Sequence, residues 1–555
     1  MKFKSMILLV CMAVVSHNLG YAQLTDYNFL GGGARAKAMG GAFFGVSDDP
    51  SAASWNPAGL TQLDKYQMTL NFTSNNYKTS FAQALSRGES SKSISEGMDD
   101  TRNIITFGSV VIPFQVKKQP LVGSVVYSRI SDVGGSHLFY TNNYLVEEQK
   151  EPVYSRKFPD ILVTTFALNS KMHEIYRIFQ ILTFPPLGEP RTDAIGYFRD
   201  QVSFDITDFE LEEEMDGGLD KFSLALAGNP IADLSLGLAV NIYTGGYTLE
   251  AKQPGFILVE GESDTMYLDL KPSVEADYSG FNLTLSAMYQ FQNLRVGGVV
   301  KTPYTLKEKQ DIKLEWDERV WNEVDKKWEI NPNRTSTRGL FYPIEYRQKW
   351  EMPLSWGIGA SYLIQNLTLA GDIEMTQYSK TELSYPQSPN YSEGDFNPPI
   401  DPSLPDRTVK LLWEDVAQFR LGAEYLFSTE YGKIPLRVGY RNDPKPYTSV
   451  ENVKIDTLVY PDDTQTPPRS SSTRYTYDGE KGDKITGSVF TLGTGIGWSQ
   501  IMFDITYEYS RYEIKASGTS VALPEIGVSG QRYQDFDETV ERKNHKIMIG
   551  FTGFF

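Results

Sequence analysis

Few residues in this chain are placed to make or break bonds. Beyond residue 22 the histidines are His137, His173 and His545, and no pair has the spacing of metal ligands. There is no phosphate-cradling glycine loop, no GxSxG elbow and no Ser/His/Asp grouping with supporting context. No catalysis, cofactor or metal is therefore expected. The run Glu210, Glu212, Glu213, Glu214 and Asp216 offers oxygen ligands for a divalent cation bridging lipopolysaccharide. It lacks the spacing of a calcium loop and reads better as a solvated acidic face. What remains is binding. Arg295, Lys301, Arg420 and Arg437 fall on the polar parity of alternating segments, as do Asp372, Glu374, Glu424, Asp504 and Glu508. Such cations either meet the carboxylate of a ligand or pair with the acids beside them.

The elements that must position these residues are β-strands. In YQMTLNFT, Tyr66, Met68, Leu70 and Phe72 share one face and Gln67, Thr69 and Asn71 the other. DLSLGLAVNIY sets Leu234, Leu236, Leu238, Val240 and Ile242 against Ser235, Gly237, Ala239 and Asn241. Similar alternation runs through GFNLTLSAMYQF and IMFDITYEY. These runs last about 9–12 residues, the length a tilted strand needs to cross a bilayer. Strands of soluble sheets are nearer 5–6 residues. About fourteen such strands are expected. Short links at Gly228–Asp233, Gln292, Ile364–Gln365 and Ser499–Gln500 alternate with long connections near 74–102, 130–218, 244–279, 305–350, 379–415, 442–487 and 513–544. Short periplasmic turns and long external loops are the order of a bacterial outer-membrane barrel.

Composition agrees. The chain holds 33 Tyr, 30 Phe and 46 Gly, and barrels of this kind carry aromatic girdles at both membrane interfaces. The formal net charge is −17, which argues against nucleic acid. Residues 1–22 read as a signal peptide: Lys2 and Lys4, an apolar core from Met6 to Val15, then small residues before Gln23. Cys11, the single cysteine, lies in that segment, so no disulfide is expected. The final strand ends in Phe555, with Ile547, Ile549 and Phe551 on one face, which suits barrel-assembly machinery.

Residues 23–65 precede the first strand and are not needed to close the wall. Gly31, Gly32, Gly33, Ala34, Ala36, Ala38, Gly40, Gly41 and Ala42 are small enough to pack in a confined lumen, and Phe43, Phe44, Trp55 and Leu60 are apolar anchors unlike a tail. The expected architecture is an all-β, antiparallel, up-and-down transmembrane barrel over 66–555, with an amino-terminal plug over 23–65.

The stretch GGGARAKAMGGAFFGVSDDPSAASWNPAGL, with Asp48–Asp49 and Asn56–Pro57–Ala58–Gly59, resembles the amino-terminal hatch of the FadL/TodX family of outer-membrane transporters of long-chain fatty acids and other hydrophobic compounds. Three later stretches are also similar to that family: VGGVVKTPYTLKEK, the segment around Pro353, Gly357, Asp372 and Tyr378–Ser379, and the segment around Gly422, Glu424, Tyr425, Arg437, Gly439 and Tyr440. The resemblance implies passive uptake of a hydrophobic small molecule, with external loops that capture it and a hatch that shifts to pass it. Asn56, Pro57 and Ala58, with Gly40 and Gly41, are then the candidate gating residues; a static sealing turn is the alternative. Met172, Ile175, Tyr176, Phe179 and Leu182 have helical spacing in the longest connection. They are the candidate greasy groove, or a helix packed on its own loop. The expected partners are the ligand, outer-membrane lipid and lipopolysaccharide, and the expected state is a monomer. A different reading makes the barrel a docking shuttle for secretion of proteins to the cell surface, its long acidic loops the docking surface.

Overall fold

The computed structural model describes residues 30–87, 90–132, 135–142, 195–196, 208–258, 265–322, 327–330, 344–385, 406–410, 413–430, 432–461, 471–522 and 532–555. The signal segment, the 172–182 groove and His173 lie outside them.

Among the described residues, fourteen strands form one closed antiparallel wall. In chain order they are β1 (Gln67–Arg87), β2 (Ser90–Val116), β3 (Gln119–Asp132), β4 (Asp208–Ile231), β5 (Leu234–Leu258) and β6 (Thr265–Phe291). Next come β7 (Leu294–Lys301, continued by Tyr304–Asn322), β8 (Ile344–Met352, continued by Ser355–Ile364) and β9 (Leu367–Thr376, continued by Glu382–Tyr385). The rest are β10 (Arg407–Lys410, continued by Val416–Thr429), β11 (Gly432–Pro461), β12 (Ser471–Trp498), β13 (Ile501–Ala522) and β14 (Arg532–Phe554). The wall closes where β1 pairs with β14, from Gln67↔Phe554 to Ser86↔Asp535. Closure leaves no strand edge unpaired, which a lipid environment requires.

The alternation faces the way the sequence predicts. Met68, Leu224, Leu236, Phe281, Leu421 and Phe490 are exposed on the outside, while Thr69, Ser223, Ser235, Asn282 and Thr506 are buried within. Tight turns recur at one end, with positive φ at Lys117, Lys118, Gln292, Gln365 and Ser499.

The strands are longer than expected. The supposed loop 74–102 is a continued ladder of β1 and β2 that runs on to Arg87↔Ser90. Most of 244–279, 305–350, 442–487 and 513–544 is likewise strand. The 30 residues of β11 rise roughly 100 Å along the strand, against a hydrocarbon core of about 30 Å. On β13 the outward parity shows why the sequence hides this. Ile501, Ile505 and Tyr507 are exposed apolar residues, and Arg511, Glu513 and Lys515 continue the same face as ion-paired, exposed charges. The apolar face stops at the edge of the belt. The hydrogen-bond ladder does not.

Four neighbouring strands, β7 to β10, break at one level. The breaks fall at Thr302–Pro303, Pro353–Leu354, the 3-10 turn Tyr378–Lys380, and residues 413–415. A proline donates no ladder hydrogen bond, which accounts for the first two.

Candidate functional site

Residues 30–63 pack against inward-facing residues of this wall. They form two short helices, α1 (Ala34–Ala38) and α2 (Ala52–Trp55), followed by a 3-10 turn over Pro57–Gln62. Ala36, Met39, Phe43, Phe44, Val46 and Trp55 make one apolar cluster with Val299 of β7. Ala52, Ala53, Leu60 and Leu63 make another with Phe107 of β2 and Ala239 of β5. Single hydrogen bonds tie the segment to strands all round the lumen. Thr506 donates to Ala34 O at 2.9 Å, Thr491 to Ala38 O at 2.8 Å, Ser361 to Gly45 O at 2.7 Å and Ser109 to Pro50 O at 2.8 Å.

Close backbone approach explains the glycines. Gly40 has φ +68°, and a Cβ there would meet Tyr440 N at 2.7 Å and Leu421 O at 2.8 Å. Its N–H donates to Thr491 Oγ1 at 3.0 Å. Gly41, at φ +81°, sits against the Trp55 ring.

Asn56 is fully buried. Its amide donates to Phe44 O at 2.7 Å, and its Oδ1 accepts from Ala58 N at 3.1 Å, capping the 3-10 turn. Pro57 opens that turn, where a missing N–H costs nothing. Ala58 N also donates to Ser286 Oγ of β6 at 2.9 Å. Asn56, Pro57 and Ala58 therefore join two parts of the segment to each other and to the wall.

The four candidate cations all face inward, and each is paired with acids. Arg295 meets Asp48 at 3.0 Å. Lys301 meets Glu374, which Arg420 also binds. Arg437 bridges Glu424 and Asp504. Arg35 of α1 joins this network, reaching Glu424 at 2.8 Å and Asp48 at 2.6 Å. Asp372 accepts from the N–H groups of Phe43 at 2.6 Å and Phe44 at 2.9 Å, and Arg420 lies over both the Phe44 and Trp55 rings. Burial alone would raise the Asp48 carboxyl. Arg35 and Arg295 outweigh it and hold Asp48 below its usual range. Asp49 is pushed up by burial, which its longer 3.5 Å pairing with Arg35 does not offset.

Directly on α2 lies a cavity of about 70 Å³ floored by Ala53 and Ser54. Most of its lining residues are polar, and it borders the level at which β7 to β10 break, through Tyr304, Pro353, Tyr378 and Val416. Sequence reasoning missed Lys221, which lines it. The signal was present, because Lys221 shares the inward parity of Ser223 and Ala225, opposite exposed Phe222 and Leu224. Arg35 gave no such signal, since it sits on a five-residue helix with no alternation. The acidic run belongs to β4, where Asp216 pairs with Arg102. His137 falls within Gly135–Asn142 and His545 on β14, where its Nδ1 lies 2.8 Å from the Tyr507 hydroxyl.

No family model matches the sequence, and no curated protein matches it. Among solved structures the chain is similar to a Pseudomonas aeruginosa FadL homologue, at 12% identity and TM-score 0.47, over 94% of this chain and 98% of the other. It is also similar to the P. putida toluene transporter TodX, at 12% identity and TM-score 0.44, over 95% and 99%. The Ralstonia pickettii toluene transporter TbuX is similar at 12% identity and TM-score 0.42, over 95% and 100%.

Proposed function

We propose that this chain is a plugged barrel of the bacterial outer membrane that lets small molecules with apolar character enter the cell without an energy source. Residues 23–65 act as the plug, and Asn56, Pro57, Ala58, Gly40 and Gly41 hold its closed position. The observation that carries this reading is the segment 30–65. Its apolar residues pack against inward-facing side chains of the wall, hydrogen bonds tie it to several strands, and a cavity rests on it, which supports a plug. A wall of fourteen strands is otherwise wide enough to leak. The resemblance of residues 31–60 to the FadL/TodX hatch supports a ligand with a hydrophobic part. The exposed apolar belt supports a barrel seated in lipid beneath lipopolysaccharide, and insertion as a monomer by barrel-assembly machinery belongs to the same proposal. Removing an apolar ligand from water contributes about 0.8 kcal/mol per methylene buried, enough to drive capture with no coupled reaction.

The test has two parts. The protein should fractionate with outer membrane and migrate differently when unheated; recovery as a soluble periplasmic protein would sink the reading. Deleting residues 23–65 should raise conductance to small ions in planar bilayers. Unchanged conductance from a correctly folded deletion protein would remove the plug.

A further inference from the structure

The cavity on α2 is unlike an apolar ligand slot. Three cations, Lys221, Lys301 and Arg420, face it with a single carboxylate, Glu374. Lys301 and Arg420 both bind that carboxylate. Lys221 makes no hydrogen bond or ion pair among the described residues, which leaves one cation over. Beside it are two more donors without an acceptor. Gln418 Oε1 accepts from the Arg420 guanidinium, so its amide Nε2 is left buried and unpaired. Arg420 Nη1 is buried without a hydrogen bond, its nearest carboxylate oxygen being Asp372 Oδ2 at 4.0 Å. Gln418 is 4% exposed and Arg420 1%. Buried polar groups are normally satisfied, because an unpaired one loses its bond to water and gains nothing in return. Here two buried unpaired donors, Gln418 Nε2 and Arg420 Nη1, and the half-buried Lys221 ammonium line one cavity.

We propose that this cavity binds the phosphate head of an amphiphilic phosphate monoester, whose three terminal oxygens accept from Lys221, Gln418 and Arg420. Donors on three groups match a tetrahedral oxyanion better than a carboxylate, which has only two oxygens. Charge-assisted bonds to such oxygens are the stronger kind. The volume, about 70 Å³, leaves room for a small polar head. Residues Lys221, Gln418 and Arg420 thus set the ligand class of the transport path, an assignment that rests on the proposed function.

The test uses the full mature protein in a phosphate-free neutral detergent, with octyl phosphate, octanoate and octyl glucoside as titrants in calorimetry. Octyl phosphate should bind at least tenfold more tightly than octanoate, and octyl glucoside should not compete. Lys221→Gln should weaken octyl phosphate at least tenfold while Lys221→Arg retains it; unheated mobility verifies that each variant is folded. Equal binding of octanoate would replace the phosphate assignment with a carboxylate site. Competition by octyl glucoside, or a folded Lys221→Gln protein with unchanged affinity, would overturn the proposal. Uptake into liposomes separates the two ideas. Lys221-dependent binding with no uptake sinks the transport reading alone, and uptake that ignores Lys221 sinks the headgroup site alone.

Discussion

Arg35 and Glu424 are 389 residues apart in sequence, and their side chains meet at 2.8 Å inside the barrel. The same carboxylate also binds Arg437, so one wall residue holds both its neighbouring strand and the amino-terminal segment. Glu424→Gln would leave two buried guanidiniums short of a counter-charge. It should raise the open-channel leak measured in planar bilayers, as should Arg35→Ala. A Glu424→Gln protein that conducts like the parent would show that the apolar clusters alone hold the segment.

Replacing Asn56 and Pro57 together with Ala removes the cap and frees two backbone angles. Phe44 O loses its donor as well, at a cost of about 1–3 kcal/mol. Ligand uptake should change more than unheated mobility does, because the wall does not depend on this turn. Leakage of polar solutes with normal ligand uptake would instead assign the pair a sealing role only.

Asp48 carries the pH dependence. Its carboxyl lies below its ordinary value of 3.8, so its contribution is present above that value and lost as pH falls through the depressed one. Asp49 is raised and has the opposite sign: its charge is a burden at neutral pH that acid relieves. Leak conductance should stay flat down to the carboxylate range and rise below it. Asp48→Asn should leak already at neutral pH and show a smaller rise in acid. Matching profiles for the two proteins would exclude Asp48 as the titrating group.

Arg437 is 1% exposed between Glu424 and Asp504. Removing one partner of such a buried group typically costs about 3–5 kcal/mol. Arg437→Ala should therefore lower the thermal midpoint of the detergent-solubilised barrel, with little effect on the affinity of any ligand that still binds. A selective loss of affinity at unchanged stability would restore Arg437 as a ligand contact.

Leu224 faces outward at 55% exposure, while its neighbour Ser223 is buried within. Arginine on the lipid face of a barrel costs about 2–4 kcal/mol at the bilayer midplane. Leu224→Arg should lose that much in a bilayer unfolding assay, and Lys307→Arg, on the outer face beyond the apolar belt, should lose almost none. Equal losses would place the membrane elsewhere on the wall.

The amino-acid sequence by itself determined the barrel: the number of strands, which face of each points outward, which connections are tight, and the small-residue segment ahead of the first strand. These are local properties. Period-two alternation in Met68 to Phe72 or Leu234 to Ile242 is set by the pleat and by lipid outside, and neither depends on distant residues. Where the apolar face ends, the local signal fades, so β1 beyond Thr73 and β13 beyond Tyr512 read as loop although their ladders continue. The partners of the inward charges were not legible at all. Alternation placed Arg420 and Arg437 in the lumen, but only closure of the wall, and the threading of Arg35, Asp48 and Phe44 through it, decided that both are paired and that Lys221 is left over. A pairing across hundreds of residues is fixed by strand register and barrel diameter together, and no window of sequence contains either.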